Sequence, residues 1–358
     1  MPTTIKEVAL KAGVSIATVS RALNNVGPVD ERTRQHVRDV ARELRYVPNA
    51  TGRSLSRRKT EAIGLLLPDL FGEFFSEVLR GGDQTAQQSN YHLVVSSSHN
   101  NRRQIRAALT MMRGRVDALV IMSPHIDAET LNESLPQSLP VVLLNYPIET
   151  TAYDSITVDN FGGTKAMVAH LLDHGHKRVA IITGTPGNTD ADERVRGYHA
   201  ALAERGIAAD ERLVVPGAFS EASGVEATRV LLALPDRPTA IFASNDAMAI
   251  GALSALRDAG IQVPDEIALA GFDDVPIASF LTPALSSVRV GIHDLGVLAI
   301  ETARHAVRHQ NTHRRQQIIA QTSLSLRESC GCTTVQSPGE TSQGLLSSPV
   351  VVPVAPFS

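Results

Sequence analysis

Two groups of residues carry chemistry by type and spacing. The first lies in VSIATVSRALN (14–24), one short helix with Ser15, Ile16, Ala17, Thr18, Ser20 and Arg21 along its open face. Small side chains such as Ala17 and Thr18 let a helix backbone approach the floor of a DNA major groove. Hydroxyls at Ser15, Thr18 and Ser20 suit phosphates or sugars, which fix register without reading bases. Thr4 and Asn24 join them as expected phosphate contacts. Ile16 and Ala17 suit thymine methyl groups, and Arg21 offers a bidentate fork to guanine O6 and N7. The second group follows apolar runs. Asn145 comes after PVVLL, Asn188 and Asp190 after AIITGTPG, Asn245 and Asp246 after AIFAS, and Asp273 after ALAGF, while Arg194 opens the helix behind GTPGNTDAD. One arginine among carboxylates and amides is the chemistry of a cleft that grips hydroxyls, each of which both donates and accepts. Taken singly, each residue serves equally well as a loop cap.

The elements that must hold these residues are legible around them. Thr4 with Glu7 three residues on is a capping box, and Ile5, Val8, Ala9 and Ala12 follow at helical spacing. Gly13 tolerates the left-handed backbone of a tight turn. Ser15 caps a second helix running to about Asn24, with Val19 and Leu23 turned inward beside Val14. After GPVDE a third helix buries Val37, Val40, Ala41 and Leu44 and turns Arg34, Arg38, Arg42 and Arg45 outward. Two short helices joined by a glycine turn, with a supporting third, predict an all-α helix-turn-helix head.

From residue 61 apolar runs alternate with helical patterns. AIGLLL (62–67), HLVVS (92–96), VDALVIM (116–122), PVVLLN (140–145), RVAIIT (178–183), TAIFAS (239–244) and EIALAGF (266–272) read as strands. Continuous apolar strands separated by helices predict a parallel sheet covered on both faces. About 250 residues of such units exceed one compact sheet of this kind, so an α/β body of two lobes is expected. Ligands in such folds bind beyond the carboxyl ends of the strands, where the second group lies.

Charge and motifs narrow the function. Residues 1–60 hold 12 basic against 5 acidic side chains, and the remaining chain holds 22 against 32, so a basic head of +7 sits on a body of −10. That asymmetry fits a nucleic-acid module attached to something else. No run approaches a membrane span, and MPTTIKEVAL carries no export signal, so no membrane partner and a cytoplasmic location are expected. There is no P-loop, GxSxG or GxGxxG, and the adjacent carboxyls Asp273 and Asp274 point to opposite faces of a strand. No enzyme activity and no cofactor are expected. Cys330 and Cys332 form neither a zinc quartet nor a disulfide framework and read as incidental thiols. His170, His174 and His176 include an i, i+4 pair, but no carboxylate or cysteine joins them at a familiar spacing, so they read as surface histidines without metal.

TIKEVALKAGVSIATVSRALN with VDERTRQHVRDVARELRYVPNATGRSL resembles the head of the lactose/galactose-repressor family of bacterial transcription factors. NDAMAIGAL, GFDD, TPALSSVRV and DADERVRGY resemble the effector core of the same family, itself related to periplasmic sugar-binding proteins, so the resemblance covers about residues 3–328. It implies a headpiece over 1–47, a hinge helix or linker over 48–60, and a two-lobed effector-binding and dimerisation domain over 61–328; the Ser- and Pro-rich stretch 329–358 reads as a disordered tail. Base contacts fall at Ile16, Ala17 and Arg21, and the Ile-Ala pair is nearer the galactose-repressor type. In the hinge, Arg53 and Leu55 meet the minor groove, Leu55 standing where the family places a wedge leucine that opens a central CpG step. Gly52 replaces the alanine common there, which lowers helix propensity by roughly 1 kcal/mol.

In the body the resemblance makes Arg194 and Asp273 the effector-gripping pair, supported by Asn188, Asp190 and Asn245. Phe219 is set against the ligand, and Phe74 and Phe75 come from the other lobe. The tail lacks leucine heptads, so a homodimer is expected rather than a tetramer. The implied protein is a repressor that binds a pseudo-palindromic double-stranded DNA operator with a central CpG and answers a sugar-type effector. Two alternatives stay open. One is a relative co-repressed by a purine or a phosphorylated metabolite, with Tyr146, Phe74 and Phe219 around the base, although Asn145 and Asp190 favour polyols. The other is a sugar-binding protein or enzyme that happens to carry the head.

Overall fold

A computed structural model of the chain describes residues 3–46, 59–99, 101–123, 126, 128–146, 152–332 and 350–352. The chain divides into two compact units after Thr60. The expected hinge residues Gly52, Arg53 and Leu55 lie outside the described residues.

The head is three helices, α1 (Ile5–Ala12), α2 (Ile16–Asn24) and α3 (Glu31–Glu43). Glu7 accepts from the Thr4 backbone N–H at 2.6 Å, closing the expected box. Gly13 turns the chain at φ 66°, a backbone that costs glycine little and other residues more. Val8, Val19, Ala22 and Val37 are fully buried where the three helices meet. Of the four outward arginines, two have a structural task. Arg34 and Arg38 both donate to Asn25 Oδ1, at 3.1 and 2.6 Å, and so fasten the loop after α2 to α3.

Among the described residues the body contains thirteen strands. They are β1 (Ala62–Leu67), β2 (His92–Ser97), β3 (Ala118–Ile121), β4 (Val141–Leu144), β5 (Asp154–Val158), β6 (Val179–Ile182), β7 (Val214–Val215), β8 (Ala240–Ala243), β9 (Ala268–Asp273), β10 (Ser286–Arg289), β11 (Gln317–Ala320), β12 (Ser323–Ser325) and β13 (Val350–Val352). They form two sheets, ordered β13-β11-β5-β4-β3-β1-β2 and β12-β10-β9-β8-β6-β7. Every pairing is parallel except those of β12 and β13, which run antiparallel at the edges. All six residues of β1 are buried, as are all of β3, β4, β6 and β8. Cover on both faces is what makes those strands read as unbroken apolar runs.

The helices of the body are α4 (Glu73–Gln88), α5 (Arg102–Met112), α6 (Ala128–Ser134), α7 (Asn160–Asp173), α8 (Thr189–Glu204), α9 (Glu221–Leu232), α10 (Asp246–Asp258) and α11 (Ile292–Arg308). The chain passes between the sheets four times: after β5, after β10, between β11 and β12, and between β12 and β13. The body therefore has two lobes, as expected, and the chain crosses between them repeatedly.

Several short strands escaped the hydrophobic pattern. In β10, Ser286 and Ser287 are fully buried, but both hydroxyls are bonded. Ser286 donates to the Arg327 carbonyl at 3.0 Å and Ser287 to Asp246 Oδ1 at 2.6 Å. Paired hydroxyls remove the cost of burial and hide the strand from a hydropathy reading.

The tail is shorter than expected from sequence. Ser329 and Cys330 are buried. The Ser329 hydroxyl donates to the Leu269 carbonyl at 2.6 Å and accepts from the Ser286 N–H at 2.8 Å, so residue 329 belongs to the second lobe. Val350–Val352 adds an edge strand to the first sheet, which corrects the disordered assignment at those three residues. Cys330 and Cys332, read as incidental, stand beside His170 and His174, read as histidines with no cysteine at hand.

Candidate functional site

Two sites were expected, one in each unit. In the head, Ser15, Ile16, Ala17 and Arg21 are exposed along α2, and Thr18 and Ser20 are half-buried. Ser15 Oγ accepts from the Thr18 N–H at 3.0 Å and shares a 2.9 Å bond with the Thr18 hydroxyl. These two hydroxyls first cap the helix and then face outward as a pair. Asn24 Nδ2 donates to the Ser20 carbonyl at 2.8 Å, which finishes α2, and Thr4 is exposed at the start of α1. Arg21 has no ion pair with a described residue, and its stem passes Gly27, where an added Cβ would lie 3.4 Å from Arg21 Cδ. The result is a convex helix face carrying a guanidinium among small and hydroxylated side chains.

In the body, the polar residues behind the strand ends line one cleft of about 690 Å³ between the lobes. All nine expected effector residues border it: Phe74, Phe75 and Asn145 from the first lobe, and Asn188, Asp190, Arg194, Phe219, Asn245 and Asp273 from the second. They converge because parallel strands end together and their loops share one edge.

Arg194 organises the polar floor. Its side chain is only 7% exposed, and its guanidinium lies 3.7 Å from the centre of the Phe272 ring. Its Nε donates to Asn160 Oδ1 at 2.8 Å, one terminal nitrogen donates to the Ser244 carbonyl, and the other faces Asp273 Oδ1 at 3.9 Å. Asn160 Nδ2 in turn donates to Asp190 Oδ1 at 2.9 Å. Burial pulls Arg194 below its ordinary range, opposed by Asp273, Asp190 and Asp246. Burial pushes Asp273 up to about 7, with Arg194 holding it down and Asp190 adding to the rise. Asp190 is raised by burial too, against the pull of Arg194 and the Asn160 bond.

The three aspartates near one another have distinct tasks. Asp273 faces the cleft from a backbone at φ 115°. Asp274 turns away, as strand alternation requires, to Arg289 at 2.7 Å and Arg327 at 2.7 Å. Asp246 is fully buried behind the cleft, where its carboxylate accepts from the Ser287 hydroxyl at 2.6 Å and the Val275 N–H at 2.8 Å.

The amides divide between capping and the cleft. Asn245 Oδ1 caps α10 and its Nδ2 donates to the Phe219 carbonyl, so both ends are engaged. Asn188 Oδ1 caps α8 at 3.0 Å, and its Nδ2 has no partner among the described residues. Asn145 Oδ1 is buried without a hydrogen-bond partner among the described residues, an acceptor suited to a ligand hydroxyl. Phe219, at φ 57°, lays its ring against Gly184, where an added Cβ would sit 2.1 Å from Phe219 Cζ. Phe74 and Phe75 meet edge to face at 5.4 Å.

Tyr146 does not join these aromatics. It is 4% exposed, packs in the core of the first lobe and donates its hydroxyl to the Ile126 carbonyl at 2.9 Å. Three contributors escaped the sequence reading. Phe272 and Asn160 looked like ordinary core and helix-start residues. Glu73, which accepts from the Ile277 N–H at 3.0 Å and so bonds one lobe to the other, was not among the expected residues either.

Comparison with known proteins matches both units. Residues 4–49 match bacterial regulatory proteins of the lacI family, and residues 168–330 match a periplasmic binding protein-like domain. The chain is 37% identical to the HTH-type transcriptional regulator GalR of Escherichia coli (strain K12), over 84% of this chain and 88% of the relative. It is 34% identical to the HTH-type transcriptional repressor PurR of Photobacterium profundum, over 87% and 94%. Among solved structures it is similar to the lac repressor dimer bound to operator and the anti-inducer ONPF, with a TM-score of 0.80, 27% identity, and 92% of this chain and 99% of that chain covered. A DNA-reading head of three helices, a two-lobed body around a small-molecule cleft, and relatives of this identity and coverage place the chain in the lacI family of bacterial regulatory proteins, as a transcriptional repressor and not an enzyme.

Proposed function

We propose that this repressor answers a hydroxyl-rich, carbohydrate-type effector and works in the cytoplasm as a homodimer on a pseudo-palindromic operator with a central CpG. The cleft floor carries the reading. Arg194 supplies donors, Asp273 and Asp190 supply acceptors, and Asn145 and Asn188 each retain an amide end unpartnered among the described residues, beside apolar rings for the ring faces of a sugar. Tyr146, which a purine site would draw on, is committed to the core. Closing the lobes on a ligand changes operator affinity only to the extent that the ligand prefers one form.

The test is fluorescence anisotropy on such an operator at fixed salt, titrated with mono- and disaccharides, their phosphates and purines. One unphosphorylated sugar should weaken binding. A purine or phosphate ester that tightens it would replace this reading with the co-repressed alternative.

The same reading divides the chain into a head over 1–47, a hinge over 48–60 and an effector body from 61 onward, and assigns Ile16, Ala17 and Arg21 to bases. Arg21→Ala should cost about 1–3 kcal/mol of operator affinity and relax preference at one base pair only. An unchanged preference across a set of single-base operator variants would remove Arg21 from base reading. Leu55→Ala should lower operator affinity roughly tenfold or more, because the bend that the wedge holds open lets the duplex wrap more protein surface, which offsets an unstacking cost of a few kcal/mol. Effector affinity, read by calorimetry on the same variant, should stay as in the parent.

Effector binding should also depend on pH. Asp273 titrates near 7 in the free cleft, and a sugar hydroxyl donated to it selects the carboxylate. Affinity should therefore rise from about pH 5 to about pH 7 and level off above, with proton release visible in buffers of different ionisation enthalpy. A flat profile would mean that Asp273 does not accept from the effector.

A further inference from the structure

Outside the cleft, the second lobe brings together four soft or borderline donors from chain segments about 160 residues apart. His170 lies half-buried in the last turn of α7, and His174 caps the same helix. Cys330 closes the 3-10 turn Glu328–Cys330, and Cys332 follows Gly331, which is left-handed at φ 85°. His170 Nε2 lies 3.4 Å from both Cys330 Sγ and Cys332 Sγ, the two sulfurs are 3.3 Å apart, and His174 Nε2 lies 3.7 Å from Cys332 Sγ. Donor atoms of His170, Cys330 and Cys332 all lie within 4.8 Å of one another.

These separations have a geometric meaning. Tetrahedral zinc at about 2.3 Å from sulfur and about 2.0–2.1 Å from nitrogen gives edges of roughly 3.6 Å between S and N and roughly 3.8 Å between S and S. The donors of His170, Cys330 and Cys332 stand within about half an ångström of those edges. Their supports are also in place. His174 Nδ1 donates to the His170 carbonyl at 3.0 Å, which fixes its tautomer and leaves the Nε2 lone pair toward the thiols. The turn that carries Cys330 is anchored by the buried Ser329 hydroxyl, and the Glu328 carboxylate accepts from the Ala284 N–H at 3.0 Å. His176 takes no part, since its Nδ1 faces the Thr239 hydroxyl at 3.1 Å.

We propose that His170, Cys330 and Cys332 form a structural binding site for a zinc-type divalent ion, with His174, already beside Cys332, turning in on loading to supply the fourth ligand. Loading displaces one proton from each thiol to solvent. Two thiolates and two neutral imidazoles then balance the ion's charge, and the metal keeps its oxidation state. Two sulfurs with two imidazoles in a tetrahedron favour zinc over magnesium or calcium, which take oxygen ligands. The ion would tie the last turn of the lobe to α7. The first residue of that helix, Asn160, holds Arg194 and Asp190 in the cleft, about 15 Å away at 1.5 Å per residue.

The experiment uses the full-length protein, reduced and freed of metal with a chelator. Zn²⁺ is titrated against a chromophoric chelator, and Co²⁺ is added separately for its optical spectrum. The expected result is one ion per chain, with the strong visible bands of tetrahedral cobalt and a thiolate-to-cobalt charge-transfer band. Cys332→Ser, at a half-exposed site, should weaken zinc binding more than roughly 100-fold, beyond the about 10–100-fold typical of losing an outer partner. His174→Ala should weaken binding less and keep the charge-transfer band. No uptake by the reduced protein, a cobalt spectrum without thiolate charge transfer, or equal zinc affinity in Cys332→Ser would each overturn the assignment.

Discussion

Asp273→Asn should abolish the response to effector while leaving operator binding and folding close to those of the parent. The substitution keeps shape and removes the carboxyl that would accept from an effector hydroxyl. A site built to bond a hydroxyl loses most of its affinity when one partner goes, because the remaining buried groups are left unpaired. Effector affinity should fall at least about 100-fold. Asp273 itself is destabilising when ionised, because burial raises its carboxyl to about 7. Its folded value is raised above the usual 3.8, so its contribution to stability is complete below about pH 4 and is lost as pH rises through about 7. The asparagine variant should lack that part of the decline. Thermal unfolding between those limits checks the second claim, and operator release by the identified effector checks the first. Normal release in this variant would mean that the effector binds elsewhere.

Arg194→Met should be the most damaging single change in the body. The guanidinium compensates three carboxylates, Asp273, Asp190 and Asp246, in a region with little water. Removing one partner of a buried charge network leaves uncompensated charge and typically costs about 3–5 kcal/mol. It would also unseat Asn160 and the Phe272 contact. The loss should depend on pH in a definite direction. With the cation gone, the neighbouring carboxyls are raised further, so the variant is hurt most above pH 7 and recovers part of its stability near pH 5, where they are protonated. Denaturant titrations at the two pH values measure this. A penalty that is equal at both, or larger in acid, would show that Arg194 acts by packing alone.

Much of the cleft was legible because it follows from how parallel strands are built. A polar residue immediately after a buried apolar run lies at a strand's carboxyl end, and in an open α/β lobe those ends face the ligand. Asn145, Asn188, Asp190, Arg194, Asn245 and Asp273 are found in this way, and they line one cavity. The same rule cannot separate capping from gripping. Asn188 and Asn245 sit at equivalent places, yet Asn188 keeps an amide end unpartnered among the described residues and Asn245 spends both of its own on the backbone. Asp273 and Asp246 likewise both follow strands, and only the packing of Ser287 and the Val275 N–H around Asp246 makes it structural.

What the sequence determined by itself was local: three helices, two of them with their caps, and a basic surface, strands long and apolar enough to need cover on both faces, and the residues at their ends. Those features depend on side chains a few positions apart, which a pattern can register. The tertiary structure decided what depends on segments distant in the chain. It placed Phe272 under Arg194, set Asn160 between Arg194 and Asp190, withdrew Tyr146 into the core, and added Val350–Val352 to a sheet edge begun far upstream. It also carried Cys330 and Cys332 to His170 and His174. The two histidines stand four apart on one helix, but only the fold that buries Ser329 beneath β9 brings the cysteines to them.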